Sequence, residues 1–145
     1  FANMIRDEKK RTALPFQVNI MYQSGVSLPD VASASVDSVV GTHLLCSVGD
    51  VDAILREVHR VLKPGGKYYL LEHVRARDEN SWLHLAQQAV APIFRIVGNG
   101  CEFTALWKRF DAHSALFDFK VEDWNAPMPI PVLRPHLVGD PLRSC

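Results

Sequence analysis

The sequence predicts an α/β fold built around a parallel β-α-β unit, and three features of residues 36 to 74 predict it. Val36-Asp37-Ser38-Val39-Val40-Gly41-Thr42 is a β-branched run ending in small and polar residues, as a buried strand does at a ligand-binding edge. From Asp50 the apolar period becomes helical: Val51, Ile54, Leu55, Val58, Val61 and Leu62 share one face, and Asp50 is placed to cap it. Lys63-Pro64-Gly65-Gly66 then stops the helix, and Lys67 to Val74, apolar on both faces through its middle, reads as a second parallel strand covered by helices. Crossovers of this kind are right-handed, and ligands sit beyond the carboxyl ends of the strands. Those ends are Thr42 to Cys46 and Glu72 to Val74.

The flanking elements follow from the same patterns. Phe1 to Lys10 reads as the end of a helix with a charged last turn, and Leu14-Pro15 as a turn. Phe16 to Tyr22 alternates apolar with polar before losing the alternation and reads as a strand; Ser24 to Ser35 reads as a loop. After the charged loop Arg75 to Asn80, Asn80 or Ser81 caps a helix whose apolar stripe is Trp82, Leu85, Ala86, Ala89, Val90 and Ile93. Pro92 is expected to kink or divide that helix, and Gly98-Asn99-Gly100 to end it. Thr104 is expected to cap a helix running to Ser114. Phe117 to Trp124 alternates strictly, the pattern of an antiparallel or edge strand. Pro127, Pro129, Pro131 and Pro135 leave room only for a short strand near Leu137-Val138, which Asp140 to Cys145 is expected to break.

Composition excludes several classes. The 145 residues suffice for one domain, and 48% hydrophobic with 22% charged residues is ordinary for a folded one. Lysine plus arginine equals aspartate plus glutamate at 16 each, so no global field favours nucleic acid. The three cysteines are widely spaced and contain no C-x-x-C pair, which fits a reducing compartment better than a disulfide scaffold or a zinc site. No apolar run approaches the ~20 residues of a spanning helix. The chain opens on Phe1, so it is expected to begin inside a longer protein.

Asp37 before the first strand, the helix ending Arg60-Val61-Leu62-Lys63-Pro64-Gly65-Gly66, and the aromatic-aliphatic strand after it resemble the second half of class I S-adenosylmethionine-dependent methyltransferases. Thr42-x-Leu44-Leu45-Cys46-Ser47-Val48, Glu72-His73-Val74, Gln87-Gln88, Gly100-Cys101 and Arg134-Pro135-His136 resemble, more closely, the methyltransferase-like 7 proteins. That resemblance covers nearly the whole chain. It implies a Rossmann-like class I methyltransferase sheet lacking its first two strands, so that residues 1–145 are the C-terminal portion of a truncated domain. It also implies S-adenosylmethionine as cofactor, a small alkyl thiol as acceptor, and an endoplasmic reticulum or lipid-droplet setting on the cytoplasmic side. The membrane anchor would lie in a missing N-terminal segment. No G-x-G-x-x-G occurs, so the isolated chain is expected to bind cofactor weakly and to be inactive, whereas the full-length parent is an enzyme. The competing reading is a non-catalytic remnant that acts, if at all, as an interaction module through an exposed sheet edge. A nicotinamide-dependent dehydrogenase is disfavoured, because Tyr22, Tyr68 and Tyr69 are followed four residues later by Val26, Glu72 and His73, none of them lysine.

Methyl transfer from a sulfonium is an in-line displacement that needs a positioned nucleophile and a base, with no metal. The resemblance places Thr42, His43 and Leu44 against the methionine end of the cofactor and Gly25 and Val26 at the loop that faces its adenine. The family carries an acidic residue in that loop, and this chain does not. His73 is the candidate catalytic base because imidazole titrates near neutral pH. Alternation sends Glu72 and His73 to opposite faces, and Glu72 and His136 are the candidate substrate-side residues. A histidine packed under the following helix is the competing reading for His73, and a turn residue for His136. Cys46 and Cys101 sit among apolar neighbours and read as buried and inert; no metal-ligand spacing is present.

Overall fold

The computed structural model describes residues 15–98 and 100–144, and the helix expected at Phe1 to Lys10 lies outside them. Strand β1 (Val36–Thr42) leads through a short 3-10 turn at Leu45–Ser47 into helix α1 (Val51–Val61). The Asp50 carboxylate caps α1 by accepting the Ala53 amide at 2.8 Å, and Ile54, Leu55, Val58 and Val61 are the buried face that the helical period required. Strand β2 (Leu62–His73) starts at once and pairs in parallel with β1, from Ser38 opposite Lys67 to Thr42 opposite Leu71. Lys63-Pro64-Gly65-Gly66 is therefore extended chain and not a separate turn. It is absorbed as a register shift between Val36 and Ser38, with Gly65 at a positive φ of 73°.

The far edge of β2 is antiparallel. Strands β5 (Pro135–Gly139) and β6 (Leu142–Arg143) lie end to end along it, and β4 (Val121–Asn125) and β3 (Phe117–Asp118) pair outside them. The single strand expected over Phe117 to Trp124 is thus two short ones. Where a break was expected after Gly139, the chain bends at Pro141, whose carbonyl accepts the Tyr68 amide at 2.9 Å, and pairs again as β6. Gly139 permits the close approach of β4, because a Cβ there would collide with the Lys120 carbonyl.

Phe16 to Tyr22 is not a strand; Phe16 and Tyr22 are exposed, and no ladder pairs with the segment among the described residues. The other edge of β1 is likewise unpaired among them, and Val40 on it is 71% exposed. The loop expected over Ser24 to Ser35 is present. It is tied to α1 through Glu57, which accepts the Leu28 amide at 2.6 Å, and through Arg60, which donates to the Leu28 and Val31 carbonyls.

Helix α2 (Trp82–Val97) is capped by Ser81 and runs through Pro92 undivided. Its orientation reverses the sequence expectation. His84 and Gln87 are the buried residues, whereas Trp82, Leu85, Ile93 and Ile96 face outward. The Gln87 amide explains the reversal: it accepts the Ala76 amide at 2.8 Å and donates to the Val74 and Val132 carbonyls, tying the chain just after β2 to the turn that precedes β5. Helix α3 (Leu106–Ala112) starts later than expected and lacks a side-chain cap. Thr104 instead bridges in parallel to Val74. The core between α1, α3 and the sheet is built on Leu45, Ile54, Leu55, Tyr68, Leu106 and Phe110.

Candidate active site at the strand ends

The carboxyl ends of β1 and β2 are held together by Glu72. Its side chain is fully buried and accepts the Leu44 amide at 2.9 Å and the Cys46 amide at 3.2 Å, so it organises the turn that leaves β1. Burial pushes its carboxyl above the usual range, and the amide donors oppose that shift. Glu72, expected on the substrate side, therefore faces the backbone of the turn.

His43 follows β1 with φ at 51°, a left-handed conformation that directs the chain away from the strand while its amide still donates to the Leu71 carbonyl at 2.9 Å. Its ring stacks on that of His73, with centroids 4.3 Å apart and planes 22° apart. His136 stands opposite His73 in the β2–β5 register, their ring centroids also 4.3 Å apart. Three histidines far apart in sequence thus share one end of the sheet, His43 exposed and the other two buried. The His136 Nδ1 lies 2.9 Å from the Arg134 carbonyl, and donation there leaves Nε2 as an acceptor. Burial lowers the pKa values of His43 and His136, and the neighbouring rings add to the effect, so these imidazoles favour the neutral form. The His73 Nε2 is buried without a hydrogen-bond partner.

The two cysteines complete the cluster. Cys101 Sγ lies 3.4 Å from His73 Nδ1 and 2.9 Å from Cys46 Sγ. Ligand-type atoms of His43, His73 and His136, and separately of Cys46, His73 and Cys101, lie within 4.8 Å of one another, two donor sets that sequence spacing did not reveal. A cleft of about 700 Å³ opens beside Cys46, with Arg75, Arg95, Glu102, Lys108 and Arg109 on its walls.

Of the expected cofactor-side residues, Thr42, His43 and Leu44 form an exposed run at the β1 terminus. A Cβ on Gly25 would come within 3.8 Å of the Leu44 side chain, so the Gly25-Val26 loop lies against that run. Accessible residues at the end of a parallel strand fit the approach of a cofactor's methionine end. Sequence reasoning missed the pairing of Cys46 with Cys101. Their positions, one just after a strand and the other just after a helix-ending glycine, were the available signal.

Comparison with known proteins bears on the fold and the family likeness. A family model described as a methyltransferase domain matches residues 1–70. Human thiol S-methyltransferase TMT1A is 38% identical over 137 residues, which are 94% of this chain and 55% of that protein. Human thiol S-methyltransferase TMT1B is 36% identical, over 82% of this chain and 48% of that protein. Among solved structures, an S-adenosylmethionine-dependent methyltransferase from Methanosarcina mazei superposes with a TM-score of 0.66, covering 99% of this chain and 79% of its own at 19% identity. These matches liken the chain to the class I S-adenosylmethionine-dependent methyltransferases. Within that class its relatives are thiol S-methyltransferases of the methyltransferase-like 7 group, and it spans about half the length of the curated relatives it matches. No helix among the described residues is long and apolar enough to cross a membrane.

Proposed function

We propose that residues 1–145 form the acceptor-side portion of one methyltransferase domain that transfers a methyl group from S-adenosylmethionine to a small alkyl thiol. The observation that carries the proposal is the placement of His73 against both His43 and His136 at the strand ends, next to residues suited to the cofactor. The 38% identity to a human thiol S-methyltransferase supports the acceptor class. The cofactor, when bound, supplies an electrophilic methyl group. Thr42, His43, Leu44, Gly25 and Val26 would hold its methionine and adenine ends. His73 takes the proton of the acceptor thiol, His136 supports the His73 ring, and Glu72 fixes the turn that carries His43 and Leu44. A thiol needs little help, because its pKa of about 8.5 already leaves some thiolate at neutral pH.

The test joins this chain to the remaining half of its domain and offers small alkyl thiols, catechols and a protein mixture in parallel. Methyl thioether formation should dominate. A clear preference for the catechol would overturn the acceptor assignment.

A further inference from the structure

Cys46 and Cys101 have no part in the methyl transfer just described, yet their sulfurs lie 2.9 Å apart, closer than unbonded sulfurs ordinarily stand. Their backbones are adjacent as well, since the Glu102 amide donates to the Cys46 carbonyl at 2.7 Å, a separation that a disulfide spans without moving either chain far. A tetrahedral zinc with Zn–S bonds of ~2.3 Å would hold two thiolates ~3.8 Å apart, so the observed pair is too close for that ion as it stands. His73 Nδ1 is 3.4 Å from Cys101 Sγ, and Cys46 lines the cleft whose wall continues through Gly100 and Glu102.

We propose that Cys46 and Cys101 form a redox-active dithiol that reduces small organic disulfides entering this cleft and delivers the resulting thiols beside the acceptor site. The choice of substrate rests on the thiol-acceptor reading above. The polarity of the pair follows from its contacts. The sulfur–sulfur contact at 2.9 Å raises the Cys46 pKa and lowers that of Cys101, so Cys101 is the attacking sulfur. In the first step the Cys101 thiolate attacks one sulfur of R–S–S–R; that S–S bond breaks and R–S⁻ leaves. In the second, Cys46 gives up its proton and attacks the Cys101 sulfur of the mixed disulfide, expelling the second R–S⁻. The two protein thiols lose two electrons and two protons, and the products are one internal disulfide and two R–SH. Each chain reacts once unless an external thiol restores the pair.

The test uses the protein in a Cys145→Ser background, so that two cysteines remain, with bis(2-hydroxyethyl) disulfide as probe and no cofactor present. Intact mass should fall by about 2 Da while two equivalents of mercaptoethanol appear, at least ~10-fold faster than in the urea-unfolded chain. Adding Cys46→Ser should trap one mercaptoethanol adduct on Cys101 and release one equivalent. If that variant does not fold, peptide mapping of the unsubstituted pair for a Cys46–Cys101 link decides the question. An unchanged mass, separate adducts on both cysteines without an internal link, or a copurifying zinc ion whose removal is required for reaction would each overturn the proposal. Because no methyl donor is present, the outcome is independent of whether the methylation assay succeeds.

Discussion

The Glu72 carboxylate accepts the Leu44 amide at 2.9 Å and so ties the end of one parallel strand to the turn leaving its neighbour. Substituting Glu72 by alanine leaves that amide and the Cys46 amide facing an apolar void. The expected loss is about 2–4 kcal/mol, measured as a lowered urea midpoint with an unchanged slope. Glu72→Gln keeps one acceptor and should lose less. Equal stability of the alanine variant and the parent would remove Glu72 from its organising position.

Glu57 predicts a pH dependence with a defined sign. Its hydrogen bond to Arg60, assisted by the Leu28 amide, lowers its carboxyl from 4.5 to about 2 in the folded chain. The folded value is the lower one, so the contribution is fully present above about pH 4.5 and is lost as pH falls towards 2. Glu57→Gln should cost about 1–2 kcal/mol at pH 7 and flatten the stability profile over that acidic window. Urea titrations at pH 7, 4 and 3 check both parts.

For His73, the decisive measurement is a pH–rate profile in the domain completed by its remaining half. His73→Gln should lower turnover by ~10² at neutral pH, with the deficit shrinking as the acceptor ionises unaided near its own pKa. A deficit constant with pH that tracks a lowered melting temperature would place His73 among the packing residues.

Helix α2 gives a pair of opposite expectations. Gln87→Leu adds apolar surface but strips the Ala76, Val74 and Val132 backbone groups of their partner, and should cost about 2–3 kcal/mol. Ile96→Lys, at a position 82% exposed, should change stability by less than about 0.5 kcal/mol. Thermal melts of the two variants side by side are sufficient, and the reverse ranking would mean that the helix packs through its apolar stripe.

That contrast marks where the sequence was legible. The span of β1, the Asp50 cap and the buried face of α1 are local facts, set by period and by a capping side chain, and all three are found in the structure. Helix α2 was read at the right place with the wrong face inward. Periodicity ranks residues by apolarity and is blind to a distant strand end whose carbonyls and amides need a glutamine. Phe16 to Tyr22 failed as a strand for a related reason: alternation describes a single segment, whereas a ladder needs a partner.

Of the site, the strand ends were predictable from the β-α-β rule, and His73, His43 and Thr42 lie there. What stayed hidden is everything assembled by the antiparallel edge and by the loop after α2. The His73–His136 register depends on β5 returning alongside β2, and the Cys46–Cys101 contact depends on a turn 55 residues downstream. No spacing rule connects residues joined only by sheet order.

The antiparallel return of β5 and β6 also governs when the molecule can form. Lys67 in β2 meets Asp140 across 73 residues of chain, so one edge of β2 stays open until β5 and β6 have been made. Local elements such as α1 can form early, but closing the sheet must await loop closure over that span, the slow kind of event in folding. During that interval the newborn chain exposes the unpaired edge of β2, and its dependence on chaperones should be greatest then.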